Sequence, residues 1–153
     1  MFLLRITQAF AKANLPYALV GGYAVALHGA IRGTIDVDLI ITLDKESFSK
    51  AEKVLLNLGL QPRLPIHAHD LFQNREQYIQ DKHLIAWSFV NANDLSECVD
   101  IIITEDLKNK TVETKQLGHQ QVTVLSKPDL IVMKQKAARP QDIEDIKALE
   151  ALL

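Results

Sequence analysis

Between Gly21 and Leu39 the chain runs from a glycine pair, through a short loop, to two carboxylates spaced i, i+2 at the head of an apolar run, Asp36-Val37-Asp38-Leu39. Few chain paths accommodate that order. The glycines follow the apolar run Tyr17-Ala18-Leu19-Val20, so a strand must turn sharply there. Glycine permits the turn and lets an anion approach the backbone without meeting a Cβ. On a strand, Asp36 and Asp38 point to one side, roughly 7 Å apart. Two anions so placed repel each other. A divalent cation relieves that repulsion and gains oxygen ligands.

A third carboxylate, Asp100, lies in Val99-Asp100-Ile101-Ile102-Ile103, a run apolar enough for an inner strand. Burying it is expensive without a partner. If its strand neighbours that of Asp36 and Asp38, three carboxylates converge and one or two Mg²⁺ ions neutralise them. Arg32 and Thr34 stand just upstream. Arg32 either contacts a phosphate or pins the acidic loop, and Thr34 orders the turn through its hydroxyl. Lys134, Arg139, Asp142 and Asp145 cluster near the other end. Two residues turn a helix by about 200°, so Lys134 and Lys136 are not expected to face one cleft. Asp142 and Asp145 suit the first turns of a helix, where its dipole favours carboxylates. His67-Ala68-His69-Asp70 resembles a metal trio but has no further ligand set, and reads as a loop. His28 reads as a packed or hydrogen-bonded residue, and Cys98 has no persuasive catalytic partner.

The patterning predicts helices over 2–13, 23–28, 45–57, 128–138 and 140–152, and strands over 17–20, 35–43, 83–90, 98–104 and 122–125. Asp44 and Ser126 are candidate N-caps, and a polar turn spans 91–94. Residues 60–82 are the least readable, with a short helix expected over 72–78. Helices and strands mix without strict alternation, so the expected fold is α+β, a mixed sheet flanked by helices. At 153 residues the chain reads as one domain, 1–153, able to bury roughly 70% of its unfolded surface. Its apolar runs are too short to span a bilayer, and the start, Met1-Phe2-Leu3-Leu4-Arg5, lacks a secretory pattern. A single cysteine rules out an internal disulfide and fits a cytoplasmic setting. Seventeen basic against nineteen acidic residues argue against broad DNA coating.

These residues resemble the nucleotidyltransferase superfamily of DNA polymerase β, and in particular its small bacterial members, the AbiEii-type toxins and minimal nucleotidyltransferases. The matching features are Gly21-Gly22, then Arg32-Gly33-Thr34-Ile35-Asp36-Val37-Asp38, then Asp100, and a tail of Lys134, Arg139, Asp142 and Asp145. One departure is Gly22, which stands where many members have serine. The resemblance implies a polymerase-β-like fold and transfer of a nucleoside monophosphate from an NTP to an acceptor hydroxyl, releasing pyrophosphate. It implies Asp36, Asp38 and Asp100 as catalytic ligands of two Mg²⁺ ions. Gly21, Gly22, Arg32, Thr34, Lys134 and Arg139 would serve the nucleotide. The implied acceptors are a tRNA, a protein or a small molecule, and a cognate antitoxin is an implied partner. Two other readings are compatible with the residues: an inactive nucleotide- or partner-binding module, and a metal-dependent phosphohydrolase.

Overall fold

The computed structural model describes residues 1–153. Its frame is one seven-stranded mixed sheet with helices around it. The chain opens with α1 (Phe2–Lys12), whose Leu3, Ile6 and Phe10 are buried at helical spacing. Strand β1 (Ala18–Val20) is buried throughout and leads straight into α2 (Gly21–Leu27). After an irregular loop come β2 (Val37–Ile40) and α3 (Lys45–Asn57). The Asp44 side chain caps α3 by accepting from the Ser47 N–H at 2.7 Å. Then follow β3 (Gln61–Pro62), α4 (Ala68–Lys82), β4 (Ala86–Asn91), β5 (Asp94–Ile102), β6 (Val112–Leu117) and β7 (Gln120–Leu125). The chain closes with α5 (Lys127–Ala137) and α6 (Pro140–Ala151). Ser126 accepts from the Asp129 N–H as the cap of α5.

The strand order is β3-β4-β5-β2-β1-β7-β6. Strand β2 runs parallel to β5 and antiparallel to β1, while β1 runs parallel to β7. Strand β1 is buried on both faces; in β2 and β5 one face is fully enclosed, at Val37, Leu39, Val99 and Ile101 beside Leu19, while Asp38 and Asp100 on the other face are half-buried. A second aromatic group, Phe48, Trp87 and Phe89, packs edge-on beside them.

The structure departs from the sequence reading at several elements. The segment read as barely patterned holds α4, fifteen residues of helix kinked at Asn74, not one short helix. Only Ala68 and Leu71 of α4 are buried, so it carries no apolar stripe for periodicity to detect. His69 and Asp70 lie on that helix and not in a loop; His67 is its N-cap and bonds Glu52 at 3.0 Å. Strand β6 was not foreseen, because Val-Glu-Thr-Lys-Gln-Leu is an edge strand with one solvated face. Strand β5 begins at Asp94, leaving only Ala92 and Asn93 in the turn. Strand β2 is shorter than expected, with Asp36 in a bend just before it. No helix is long and apolar enough to cross a membrane.

Candidate active site

The site grows out of strand register. Val20 of β1 stands opposite Asp38 of β2, Asp38 opposite Asp100 of β5, and Asp100 opposite Ser88 of β4. One row across four strands thus carries two carboxylates and a hydroxyl, and the glycine turn begins where the row ends at Val20. Asp36 joins the row from the bend before β2. One ligand atom each of Asp36, Asp100 and Cys98 lie within 4.8 Å of one another. The three carboxylates read from the sequence are therefore brought together.

Ser88 and Cys98 were not foreseen in this role. The Ser88 hydroxyl donates to Asp100 Oδ1 at 2.5 Å, and the Cys98 thiol lies 3.7 Å from the same oxygen. A period-2 reading of β5 places Cys98, Asp100 and Ile102 on one face, a signal the sequence contains. Ser88 is visible only through cross-strand pairing. Burial raises the Cys98 thiol pKa, with the Asp100 charge adding to it and the Arg63 hydrogen bond partly opposing it. The thiol therefore stays protonated at neutral pH and is a poor nucleophile.

Burial also raises Asp38, to about 7; the Asp100 charge, a hydrogen bond with Asp100 and the Asp36 charge add to this, while Lys134 opposes it. The trio is thus short of positive charge. Its donors are oxygens on flexible carboxylates at one sheet position, which fits a hard divalent cation.

The glycine turn is built against these carboxylates. Gly21 has φ +65°, and a Cβ there would lie 2.9 Å from Asp38 Cβ and Cγ. Only glycine meets both conditions. At Gly22 a Cβ would lie 2.7 Å from Thr34 Cβ, 2.8 Å from Thr34 Oγ1 and 3.3 Å from Arg32 Cζ. The departure from Gly-Ser therefore has a steric cause: Thr34 occupies the space a serine would need and brings its own hydroxyl to the turn. Gly22→Ser is accordingly expected to lower the melting temperature and not to raise activity. Adding Thr34→Gly, which removes the Cβ in the way, should recover stability, as thermal melts of the single and double variants would reveal. A Gly22→Ser protein as stable as the parent would contradict this packing.

The tail residues assemble behind the turn. Lys134, 7% exposed, bridges Asp145 at 2.9 Å and Asp142 at 3.6 Å. Burial would raise both carboxylates. Hydrogen bonds from Arg139 outweigh it at Asp142, and those from Lys134 and Gln141, with Arg32, outweigh it at Asp145, so both sit below the usual range. Arg139 grips Asp142 at 2.8 Å with most of its side chain exposed. Arg32 donates to Asp145 at 3.1 Å and to the Gly33 carbonyl, which ties the acidic loop to α6. Thr34 makes only a long contact, 3.5 Å, to the Asp36 carbonyl. His28 is buried and its Nε2 bonds the Leu125 carbonyl at 2.7 Å.

A cavity of about 640 Å³ opens on this assembly. Gly21, Asp38 and Asp100 line one end, and Lys134 and Arg139 one wall. Ile85, Ala86, Ile102 and Met133 give it an apolar flank. Lys136 lines it too, against the expectation from helical rotation. Its long side chain reaches round to the rim, where it meets Glu105 at 3.2 Å.

No curated protein sequence matches the chain. Similar solved structures include the lincosamide antibiotic adenylyltransferase LnuA in its lincomycin-bound form. It matches with TM-score 0.68 and 16% identity, over 99% of this chain and 96% of that one. ANT(2'')-Ia in complex with adenylyl-2''-tobramycin matches with TM-score 0.64 and 18% identity, over 96% and 84%. An antigenic nucleotidyltransferase-like protein from Paracoccidioides brasiliensis matches with TM-score 0.60 and 21% identity, over 99% and 73%. At these identities the likeness establishes the fold, a mixed sheet of the nucleotidyltransferase type. A family model described as "Nucleotidyltransferase of unknown function (DUF6036)" matches residues 3–152. The chain therefore belongs to that family and is a nucleotidyltransferase enzyme.

Proposed function

We propose that the protein transfers a nucleoside monophosphate from an NTP to a hydroxyl of a small molecule, with Mg²⁺ held by Asp36, Asp38 and Asp100. The observation that carries this reading is the row Asp38–Asp100–Ser88, set directly beside a glycine turn that tolerates no Cβ. The first N–H groups of a helix have no intrahelical acceptor, so the amides of Gly21 and Gly22 are free to hold phosphate oxygens. Lys134 lies on the same side of the row and, with Arg139, offsets phosphate charge. When bound, Mg²⁺ neutralises the triphosphate and the charge that develops during in-line displacement. Asp100 keeps one oxygen on the Ser88 hydroxyl, which fixes the carboxylate so that the other oxygen is available to the acceptor proton.

The small-molecule acceptor draws support from the solved structures, since LnuA and ANT(2'')-Ia carry lincomycin and an adenylylated tobramycin. Neither a tRNA acceptor nor an antitoxin partner gains support from those likenesses. The test is incubation with each α-labelled NTP, Mg²⁺ and a panel of hydroxyl compounds. Label should appear on an acceptor together with pyrophosphate, and chelation should stop it. Release of inorganic phosphate or free nucleoside monophosphate, with no acceptor labelled, would replace this reading by hydrolysis.

A further inference from the structure

We propose that the acceptor carries a phosphate close to its reacting hydroxyl, and that Arg63 holds that phosphate. This rests on the transfer reading above and names the substrate class of the same site. The row of carboxylates has two ends, and so two flanks across the sheet. At the β1 end, past Val20, are the Gly21 turn and Lys134, both lining the cavity. At the β4 end the row closes on Ser88, and there Arg63 rests on Cys98, which stands two residues before Asp100 on the same face of β5.

Arg63 follows β3 directly. Its backbone N–H donates to the Ser88 carbonyl at 2.8 Å, which ties its position to the strand that carries the row. Its exposed guanidinium has one side-chain partner, Cys98 Sγ at 3.4 Å. Sulfur is a weak acceptor, so a five-donor fork with most of its capacity unspent stands beside Asp36 and Asp100. In-line displacement puts the attacking oxygen opposite the departing pyrophosphate. With the triphosphate on the Gly21 and Lys134 flank, the acceptor arrives on the Arg63 flank.

The charges elsewhere in the cleft point the same way. Outside the row, the carboxylates lining the cavity are Glu105 and Asp142. Glu105 is bridged by Lys110 at 3.1 Å and Lys136 at 3.2 Å. Asp142 is held by Arg139 and Lys134. No carboxylate is left over to bind a polycation, whereas a guanidinium is left over to bind an anion, and a phosphate matches its geometry bidentately.

The experiment uses the full chain with Mg²⁺ and a nonhydrolysable NTP. Calorimetry then follows addition of ribose 5-phosphate, the dinucleotide ApA, ribose and tobramycin. Ribose 5-phosphate or ApA should bind, and which of them binds more tightly separates a free sugar phosphate from a nucleic-acid end. Arg63→Gln should weaken that binding about tenfold or more with the NTP affinity unchanged, and Arg63→Lys should recover part of it. Tobramycin or ribose binding more tightly than both phosphate compounds overturns the proposal. So does binding of neither phosphate compound, or an Arg63→Gln affinity equal to the parent. Failure of the NTP itself to bind is a separate result: it defeats the transfer reading and this proposal with it.

Discussion

Asp38→Asn is expected to abolish transfer, by on the order of a thousandfold or more for loss of a ligand that stabilises transition-state charge, while making the metal-free protein more stable. The second effect follows from the proton balance. The Asp38 carboxyl is raised to about 7 in the fold against an ordinary value of 3.8, so the folded state binds its proton more tightly than the unfolded chain. The stability this contributes is complete below about 4 and is lost as pH rises through about 7. Asp142 and Asp145 act in the opposite direction. Their carboxyls are lowered, so their contribution is present above the ordinary carboxylate range and is lost as pH falls through their lowered values. Metal-free protein should therefore be most stable on the acid side of neutrality. At pH 8, Asp38→Asn should recover of order 2–4 kcal/mol, roughly 5 °C or more in melting temperature. Added Mg²⁺ should stabilise the parent and not the variant. A variant that melts lower than the parent at pH 8 without metal would show that the carboxylate row is not under repulsion.

Lys134→Met should have the opposite sign. It keeps most of the stem but leaves Asp142 and Asp145, 2% and 3% exposed, without their shared cation. Breaking a buried pair at one end costs about 3–5 kcal/mol, and the lower end applies because Arg139 and Arg32 remain on the two carboxylates. Melting should fall by roughly 6–12 °C at pH 7. The loss should shrink at pH 4, where the stranded carboxylates can take up protons. Combining Lys134→Met with Asp145→Asn should cost less than the two single losses added together, because both act on one network. NTP affinity should fall with Lys134→Met in either background. Simple additivity in thermal melts would deny that Lys134 and Asp145 are coupled in one buried cluster.

The parts of the fold that the sequence announces are those where burial writes a pattern. The central strands β1, β2 and β5 bury enough of their length to stand out as apolar runs, and the caps Asp44 and Ser126 mark helix starts that the fold retains. Strand β6 and helix α4 escape because their exposed faces leave no periodicity to read. The carboxylates Asp36, Asp38 and Asp100 could be named from spacing and resemblance, but their meeting depends on β2 lying parallel to β5 in a register that sets Asp38 against Asp100. No local pattern encodes that pairing. Ser88, Arg63 and the fit of Gly22 against Thr34 are invisible for the same reason, since each depends on segments far apart in the chain. The tail shows the opposite case. Asp142 and Asp145 suit a helix start in sequence, and in the fold they have the further task of holding Lys134 and Arg32 around the turn.

The most direct test of the account is calorimetric titration with nonhydrolysable analogues of the four NTPs, with and without Mg²⁺, on the parent and on Asp38→Asn. At least one analogue should bind the parent only when Mg²⁺ is present, and Asp38→Asn should remove that metal-dependent binding while the protein stays folded. Equal affinity with and without the metal, or equal affinity in the parent and the variant, would contradict the assignment of the carboxylate row and glycine turn as one metal–nucleotide site.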